Sequence, residues 1–104
     1  MAHSEDDIRD KVLQYFYQIH TDGSGTYNGR ERGDVAVREI SMQSQFDRAE
    51  VSRSIEYLVK NNLLNHVVEH ESSPDDVNIK VTKHSYQISE QGIAQLGSGK
   101  FKES

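Results

Sequence analysis

The chain has 104 residues, and its formal net charge at neutral pH is −5. This length is typical of one domain and leaves too little chain for an active-site cleft between two lobes. The lack of cysteine excludes disulfides, thiolate zinc sites and thiol catalysis, and the net acidity argues against indiscriminate polyanion binding, which needs an excess of Lys and Arg.

The hydropathy pattern bears on location and domain organisation. No run approaches the roughly 18 apolar residues of a membrane span, and the acidic start of the sequence lacks the apolar segment of a secretory signal. We therefore expect a cytoplasmic protein with no membrane partner. We also expect one domain over residues 1–104, with its core at residues 5–97 and a flexible tail at residues 98–104.

The first predicted element is a helix over residues 4–20. Ser4 is a suitable N-cap, and the acidic residues after it favour the positive end of the helix dipole. One apolar stripe comprises Ile8, Val12 and Phe16, and it is widened by Leu13 and Ile19. Apolar surface extends further round the helix at Tyr15, Tyr17 and Ile19. We expect this surplus to form a homodimer interface; the alternative is that the tyrosines pack within the domain, under the loop that follows.

That loop is rich in glycine and alternates Asp22, Ser24 and Thr26 as an EF-hand calcium loop does. The sixth position of such a loop is glycine, and here it is Tyr27. The twelfth position is a glutamate in an EF-hand, and here it is Gly33. We therefore expect no calcium site.

Two further helices are predicted in the middle of the chain. A short one covers residues 33–41, with Asp34 as its cap, and a link over residues 41–46 follows. The next, over residues 48–61, has Asp47 as N-cap and Glu50 placed for a capping box. A hydrophobic staple is predicted between Phe46 and Val51. This helix should end at two residues that tolerate a left-handed backbone, Asn61 and Asn62.

Residues 66–70 read H-x-x-E-H, the inverted zinc-peptidase motif, in which two histidines one helical turn apart bind zinc. The β-branched residues around the motif and the turn signal at residues 72–76 favour a β-hairpin instead. On a strand His66 and His70 lie about 13 Å apart, too far for one zinc ion. We therefore expect no metal, no cofactor and no enzymatic activity.

The rest of the chain supplies the second strand of the hairpin, over residues 77–88, and a last short helix over residues 89–96 capped by Ser89. The three other histidines are interpreted as ordinary surface residues: His3, His20 and His84.

In one segment, a short helix and turn precede a helix with the pattern Val-Ser-Arg-x-Ile-x-x-Leu and a Leu-Leu exit, at Val51, Ser52, Arg53, Ile55, Leu58, Leu63 and Leu64. This arrangement resembles the helix-turn-helix of winged-helix regulators. In a second segment, the strand-to-helix joint of MarR-type and PadR-type proteins is matched at Tyr86, Ile88, Ser89 and Gly92. The resemblance covers roughly residues 34–96. It implies an α+β, mainly α fold: a single winged helix-turn-helix domain with three helices, a hairpin wing and a short C-terminal helix.

The resemblance also implies a function, that of a transcriptional regulator whose recognition helix, at about residues 48–61, enters the major groove of double-stranded DNA. The expected contacts from this helix are Arg48, Ser52, Arg53, Tyr57 and Lys60, and from the wing Lys80 and Lys83. The alternative for this helix face is ordinary solvated surface, which Glu56 favours because its carboxylate opposes phosphate. Lys80 and Lys83 have an alternative role as well, since lysines on an edge strand discourage aggregation. The net acidity and the acidic wing tip suggest the alternative function, a winged helix that binds a protein partner instead of DNA.

Overall fold

A computed structural model describes residues 5–25, 29–72 and 80–98. Its elements in chain order are α1 (Glu5–Asp22), β1 (Glu31–Arg32), α2 (Gly33–Ser44), α3 (Arg48–Lys60), β2 (Leu64–Ser72), β3 (Lys80–Ile88) and α4 (Glu90–Ser98). The described part is therefore α+β and mainly helical, as predicted, with an antiparallel sheet in the order β1-β3-β2. Among the described helices, none is long and apolar enough to cross a membrane.

α1 packs against α3, β3 and α4. Its predicted apolar stripe is buried: Ile8, Val12, Leu13, Phe16 and Ile19. Ile19 is only 7% exposed, so its predicted place in a dimer surface was wrong, because at about 100° per residue it returns to the side of the helix that carries Ile8 and Val12. Tyr15 is partly buried and meets Phe16 edge to face, with ring centroids 5.4 Å apart. Tyr17 stays exposed.

β1 has no counterpart among the predicted elements. It pairs with β3, placing Glu31 opposite Tyr86 and Arg32 opposite Ser85. This pairing fixes the backbone immediately before α2, so the N-cap position falls on Arg32 and not on Asp34. The Asp34 carboxylate instead lies in the first turn, where it accepts a hydrogen bond from the Arg32 guanidinium at 3.2 Å. The predicted cap was therefore wrong.

The turn between α2 and α3 is shorter than the sequence suggests. α2 continues to Ser44, so only residues 45–47 separate the two helices, and Gln45 takes the left-handed conformation at φ 60°. The predicted link over residues 41–46 is therefore mostly helix. α2 buries Ala36 and Ile40 in the core, with Val37 partly buried beside them.

The start and end of α3 are set by local signals. The Asp47 carboxylate accepts a hydrogen bond from the Ala49 amide at 2.9 Å, which confirms the predicted N-cap, and Phe46 and Val51 are both buried. Among the described residues, Glu50 makes no hydrogen bond back to the Asp47 amide, so the capping box is incomplete. At the other end Asn62 adopts φ 61°, and a hydrogen bond from the Leu63 amide to the Leu58 carbonyl closes the helix.

β2 and β3 form the predicted hairpin, with His66 opposite Tyr86 and Glu69 opposite Lys83. Ser72, predicted as the first residue of the turn, belongs to β2. The predicted start of the second strand, residues 77–79, lies outside the described residues, and β3 covers Lys80–Ile88. Most of the predicted turn, residues 73–76, lies outside the described residues. Leu64 and Ile88, which pair at the base of the hairpin, are buried in the core.

α4 packs against α1 and is joined to the exit of α3. The Ser89 hydroxyl accepts from the Gly92 amide at 3.0 Å, as a cap should, and donates to the Asn62 carbonyl at 2.6 Å. The Ser89 amide also donates to the Leu63 carbonyl at 3.1 Å. The helix includes Ser98, which was predicted to begin the tail; residues 99–104 lie outside the described part.

Candidate nucleic-acid interface

The outward face of α3 carries most of the predicted contact residues. At about 100° per residue, the buried side chains of Val51, Ile55 and Leu58 fall on one side of the helix. The exposed side chains occupy the opposite side: Arg48, Ala49, Ser52, Arg53, Glu56, Tyr57 and Lys60. The structure divides this exposed set between two neighbours, the hairpin on one flank and α1 on the other.

On the hairpin flank, α3, the start of α2 and β3 enclose an open groove of about 710 Å³. Its apolar surface comes from Val37, Ile55 and Tyr86. Its polar rim includes Arg48, Ser52 and Glu56 from α3 and Thr82 and His84 from β3. Two predicted DNA contacts, Arg48 and Ser52, are therefore brought beside the wing, and we call this space the α3–hairpin groove.

Tyr86 is held rigidly at the bottom of the groove. Its ring contacts Phe16 edge to face, with centroids 6.4 Å apart. It also lies against Gly33, where an added Cβ would be 2.7 Å from Tyr86 Cε2, so only glycine allows this approach. Burial, and after it the nearby Glu56 carboxylate, raises the pKa of the Tyr86 phenol. The hydroxyl therefore stays protonated at neutral pH.

On the other flank, Tyr57 lies beneath Arg9 of α1. The guanidinium carbon of Arg9 is 3.5 Å from the centre of the Tyr57 ring, a cation–π contact. The same guanidinium pairs with Glu5 and Asp6 at 3.3 Å each. Arg53 borders a small cavity of about 190 Å³ next to this group. Tyr57 and Arg53 are thus on the α1 side, away from the α3–hairpin groove.

The three predicted lysines are dispersed. Lys60 lies in the last turn of α3, at the far end from Arg48. Lys83 is partly buried on β3, paired across the hairpin with Glu69, and borders the groove. Lys80 opens β3, and its side chain lies outside the described part. The hairpin therefore does not present a pair of described lysines to the groove.

The structure brings together two histidines that sequence reasoning treated as unrelated. His66 Nε2 and His84 Nδ1 are 2.9 Å apart, although 18 positions separate them in the chain. The His66 ring also stacks on Tyr86, with centroids 4.8 Å apart and planes 13° apart. Only the register of the hairpin could have revealed this pair, because His66 lies diagonally across from His84.

The H-x-x-E-H segment lies entirely on β2, so His66 and His70 are not one helical turn apart. His70 Nδ1 is hydrogen-bonded to Thr82 Oγ1 at 3.1 Å, away from the His66–His84 contact. Within residues 5–25, 29–72 and 80–98, no three His, Asp or Glu side chains are grouped so as to hold a metal ion. The strand assignment is confirmed, and the absence of zinc stays a prediction.

No family model matches this sequence, and neither a curated protein nor a solved structure is significantly similar to it.

Proposed function

We propose that this protein is a winged helix-turn-helix DNA-binding regulator, in which α2 and α3 form the helix-turn-helix and the β2–β3 hairpin is the wing. The three-residue turn before α3, the solvent-exposed face of α3 and the hairpin beside it support this proposal. α3 is the recognition helix, and its N-terminal half enters the major groove of duplex DNA.

The observation that carries the proposal is the pairing of the arginines. All four outside α3 form ion pairs: Arg9, Arg30, Arg32 and Arg38. Within the described residues, Arg48 and Arg53 of α3 form none and are exposed. In a chain with 17 acidic side chains, leaving two arginines of one helix unpaired favours an anionic partner outside the molecule.

The two arginines have different proposed roles. Arg48 and Ser52, near the start of the helix beside the groove, bind backbone phosphates and set the orientation of the helix. Arg53 reads a guanine edge or a phosphate one turn further along. Tyr57 is a weaker candidate for base contact, because reaching DNA would require its ring to leave the Arg9 guanidinium. Lys60, Lys80 and Lys83 add phosphate contacts at the periphery.

A second candidate function is binding to a protein. The α3–hairpin groove has an apolar surface at Val37 and Ile55, and its rim carries the carboxylates of Asp34 and Glu56 as well as cations. Such mixed charge suits a peptide better than a polyphosphate. The two candidates respond differently to salt, since binding through several phosphates weakens steeply between low and moderate salt, whereas an apolar contact hardly responds.

Duplexes selected from a random library, followed by fluorescence anisotropy titration, test the first candidate. We expect Arg48→Ala and Arg53→Ala each to weaken binding by roughly 1 to 3 kcal/mol with the fold retained. Lys11→Ala is the matched control, because Lys11 is also exposed and has no ion pair within the described residues, but lies beside α2 instead of on α3. It should leave affinity almost unchanged.

Three results would separate the candidates. Failure to enrich any duplex, or equal affinity for all three variants, would reject DNA binding through α3. Duplex binding that is insensitive to salt would reject the proposed phosphate contacts of Arg48 and Ser52. Loss of affinity in the two arginine variants alone, with a steep salt dependence, would support the proposed regulator.

A further inference from the structure

The His66–His84 contact is a hydrogen bond within nearly one plane. The two ring planes are 25° apart, and the 5.1 Å between centroids exceeds the 2.9 Å N···N distance by about two ring radii. The rings therefore meet edge to edge, and one ring nitrogen donates its proton to the other. Each histidine keeps its second ring nitrogen, His66 Nδ1 and His84 Nε2, free of this bond.

Counting protons on the four ring nitrogens shows what the pair can bind. Two neutral imidazoles carry two protons, one within the shared bond and one on a single outer nitrogen. One added proton puts an N–H on both outer nitrogens and gives the pair a charge of plus one, with the shared bond kept. A second added proton would place hydrogens on both inner nitrogens and break that bond. The shared hydrogen bond is therefore compatible with the neutral and the singly protonated pair, but not with the doubly protonated pair.

The pair lies beside the proposed DNA-binding helix. His84 lines the α3–hairpin groove together with Arg48 and Ser52, and both histidines are exposed. Side chains two residues apart on a strand share a face, so His66, Val68 and His70 point to the same side as Thr82, His84 and Tyr86. No described side chain on this face of the hairpin is acidic.

Other titratable and charged groups face the groove from each element around it. The carboxylates are Asp34 and Glu56, and Asp34 is already paired with Arg32. The remaining cations are Arg48 and Lys83, and the other titratable side chains are Tyr86 and, one step along the hairpin, His70. Glu56 is thus the one unpaired carboxylate on the described rim of the groove, and it lies on the same helix as the unpaired Arg48.

We propose that the His66–His84 pair is a phosphate-binding site of the wing, which takes up one proton when duplex DNA binds. This inference rests on the proposed function and adds a contact to it. A phosphodiester has only acceptor oxygens, which match the two outer N–H groups of the singly protonated pair and its positive charge. Tyr86, fixed by Phe16 and Gly33, holds the His66 ring in place by stacking.

The sign of the pH dependence follows directly. Phosphate favours the protonated pair, so binding takes up protons, and affinity is highest at low pH and falls as the pH rises. Histidine is the side chain that ordinarily changes charge between pH 5 and 8, so this is the window to examine. A single linked proton limits the fall in affinity to about tenfold per pH unit.

The test is calorimetric titration of a selected duplex, at pH 6.0 to 8.0, in two phosphate-free buffers of different ionisation enthalpy. For the unmodified chain we expect proton uptake between zero and one per chain and an affinity that falls by roughly threefold to tenfold per pH unit over the steepest part. His66→Asn and His84→Asn should each abolish most of this uptake. The double variant should lose no more proton uptake than either single variant, because both single substitutions break the same histidine pair.

His70→Asn is the matched control, since His70 shares the hairpin face but is bonded to Thr82. It should retain the uptake. Equal uptake in His66→Asn, His84→Asn and the unmodified chain would overturn the inference, as would additive losses from two independent histidines. If no duplex binds at any pH, the proposed function fails instead; binding that depends on Arg48 but not on pH rejects only the histidine site.

Discussion

Arg9 shows how one side chain ties two helices together. Its side chain is only 18% exposed, with the guanidinium between Glu5 and Asp6 of its own helix and the Tyr57 ring of α3. Carboxylates three and four residues before an arginine on a helix orient it along the surface. Here that orientation places the cation over the ring. Tyr57 therefore acts first as part of the α1–α3 contact, whatever it contributes to binding.

Tyr15 gives a prediction at the same scale. Burial, and then the nearby Glu31 and Glu39 carboxylates, raises its pKa from 10.0 to about 12. A raised pKa means that the fold favours the neutral phenol, so the free energy of unfolding should fall as the pH rises from about 10 towards 12. We expect phenolate absorbance to show a late titration step whose amplitude falls in Tyr15→Phe, with the Tyr86 phenol, whose pKa is also raised, still titrating late.

The same substitution should lessen the loss of stability at alkaline pH, measured by urea unfolding at several pH values. Tyr17→Phe is the control, since Tyr17 lies on the same helix but is exposed. It should leave both the late titration step and the alkaline loss in place. A late step that persists in Tyr15→Phe at full amplitude would contradict the assignment to Tyr15.

At the scale of elements, Gly92 explains the glycine of the strand-to-helix motif. It lies in the first turn of α4, where an added Cβ would be 2.3 Å from the Leu63 carbonyl oxygen and 2.7 Å from Ile88 Cγ1. That carbonyl already accepts from the Ser89 amide, so the backbone cannot move away without losing the bond. The helix approaches the exit of α3 closely because this residue has no side chain.

We therefore expect Gly92→Ala to destabilise the protein by about 1 to 3 kcal/mol, as overpacking does. Gly97→Ala, in the same helix, is the matched control: a Cβ there meets nothing within 4 Å. It should leave stability unchanged or raise it by up to about 1 kcal/mol, because alanine is the better helix former. Urea unfolding measures both. Equal midpoints for the two variants would show that the close approach at Gly92 is unimportant.

The helix ends differ in how far they could be predicted. Asp47 and Asn62 act on amides and carbonyls within a few residues of themselves, so the start of α3 and its end were predicted to within one residue. Asp34 is an equally good cap by composition, but β1 pairs with β3 and fixes the chain before it. A local preference was overridden there by a contact made with a strand more than 50 residues further along the chain.

At the scale of the whole molecule, α1 offers the proposed homodimer less exposed apolar surface than the sequence predicts. Ile19 is in the core and Tyr15 is partly buried, which leaves Tyr17, 40% exposed, as the aromatic available on α1. If the dimer forms through this helix, Tyr17→Ser should shift sedimentation equilibrium at micromolar concentration towards the 11.9 kDa of one chain. Tyr15→Phe should leave the mass measured by sedimentation equilibrium unchanged.

A monomer mass for the unmodified chain would reject the dimer and leave DNA binding to single half-sites. A dimer unmoved by Tyr17→Ser would place the interface elsewhere, with the exposed Met42 of α2 as the next residue to change. Either result bears on the operator, because a dimer of such proteins reads two half-sites about one DNA turn apart, roughly 34 Å.

The sequence by itself determined α1, α3, the hairpin and α4, and with them the α+β class. Each of these elements is specified by signals that act over a few residues: an apolar period, a capping side chain, or asparagines that stop a helix. The same reasoning placed the H-x-x-E-H segment on a strand, because the residues around it favour extended structure. Local signals were sufficient wherever the competing interactions were also local.

Only the tertiary structure decided the existence of β1, the Arg9–Tyr57 contact and the His66–His84 pair. Each depends on which distant residues are brought alongside. The histidines meet because β2 and β3 pair with one particular register, and a hairpin register depends on the turn and on the buried base at Leu64 and Ile88 together. A shift of one residue would turn one of the two histidines to the opposite face.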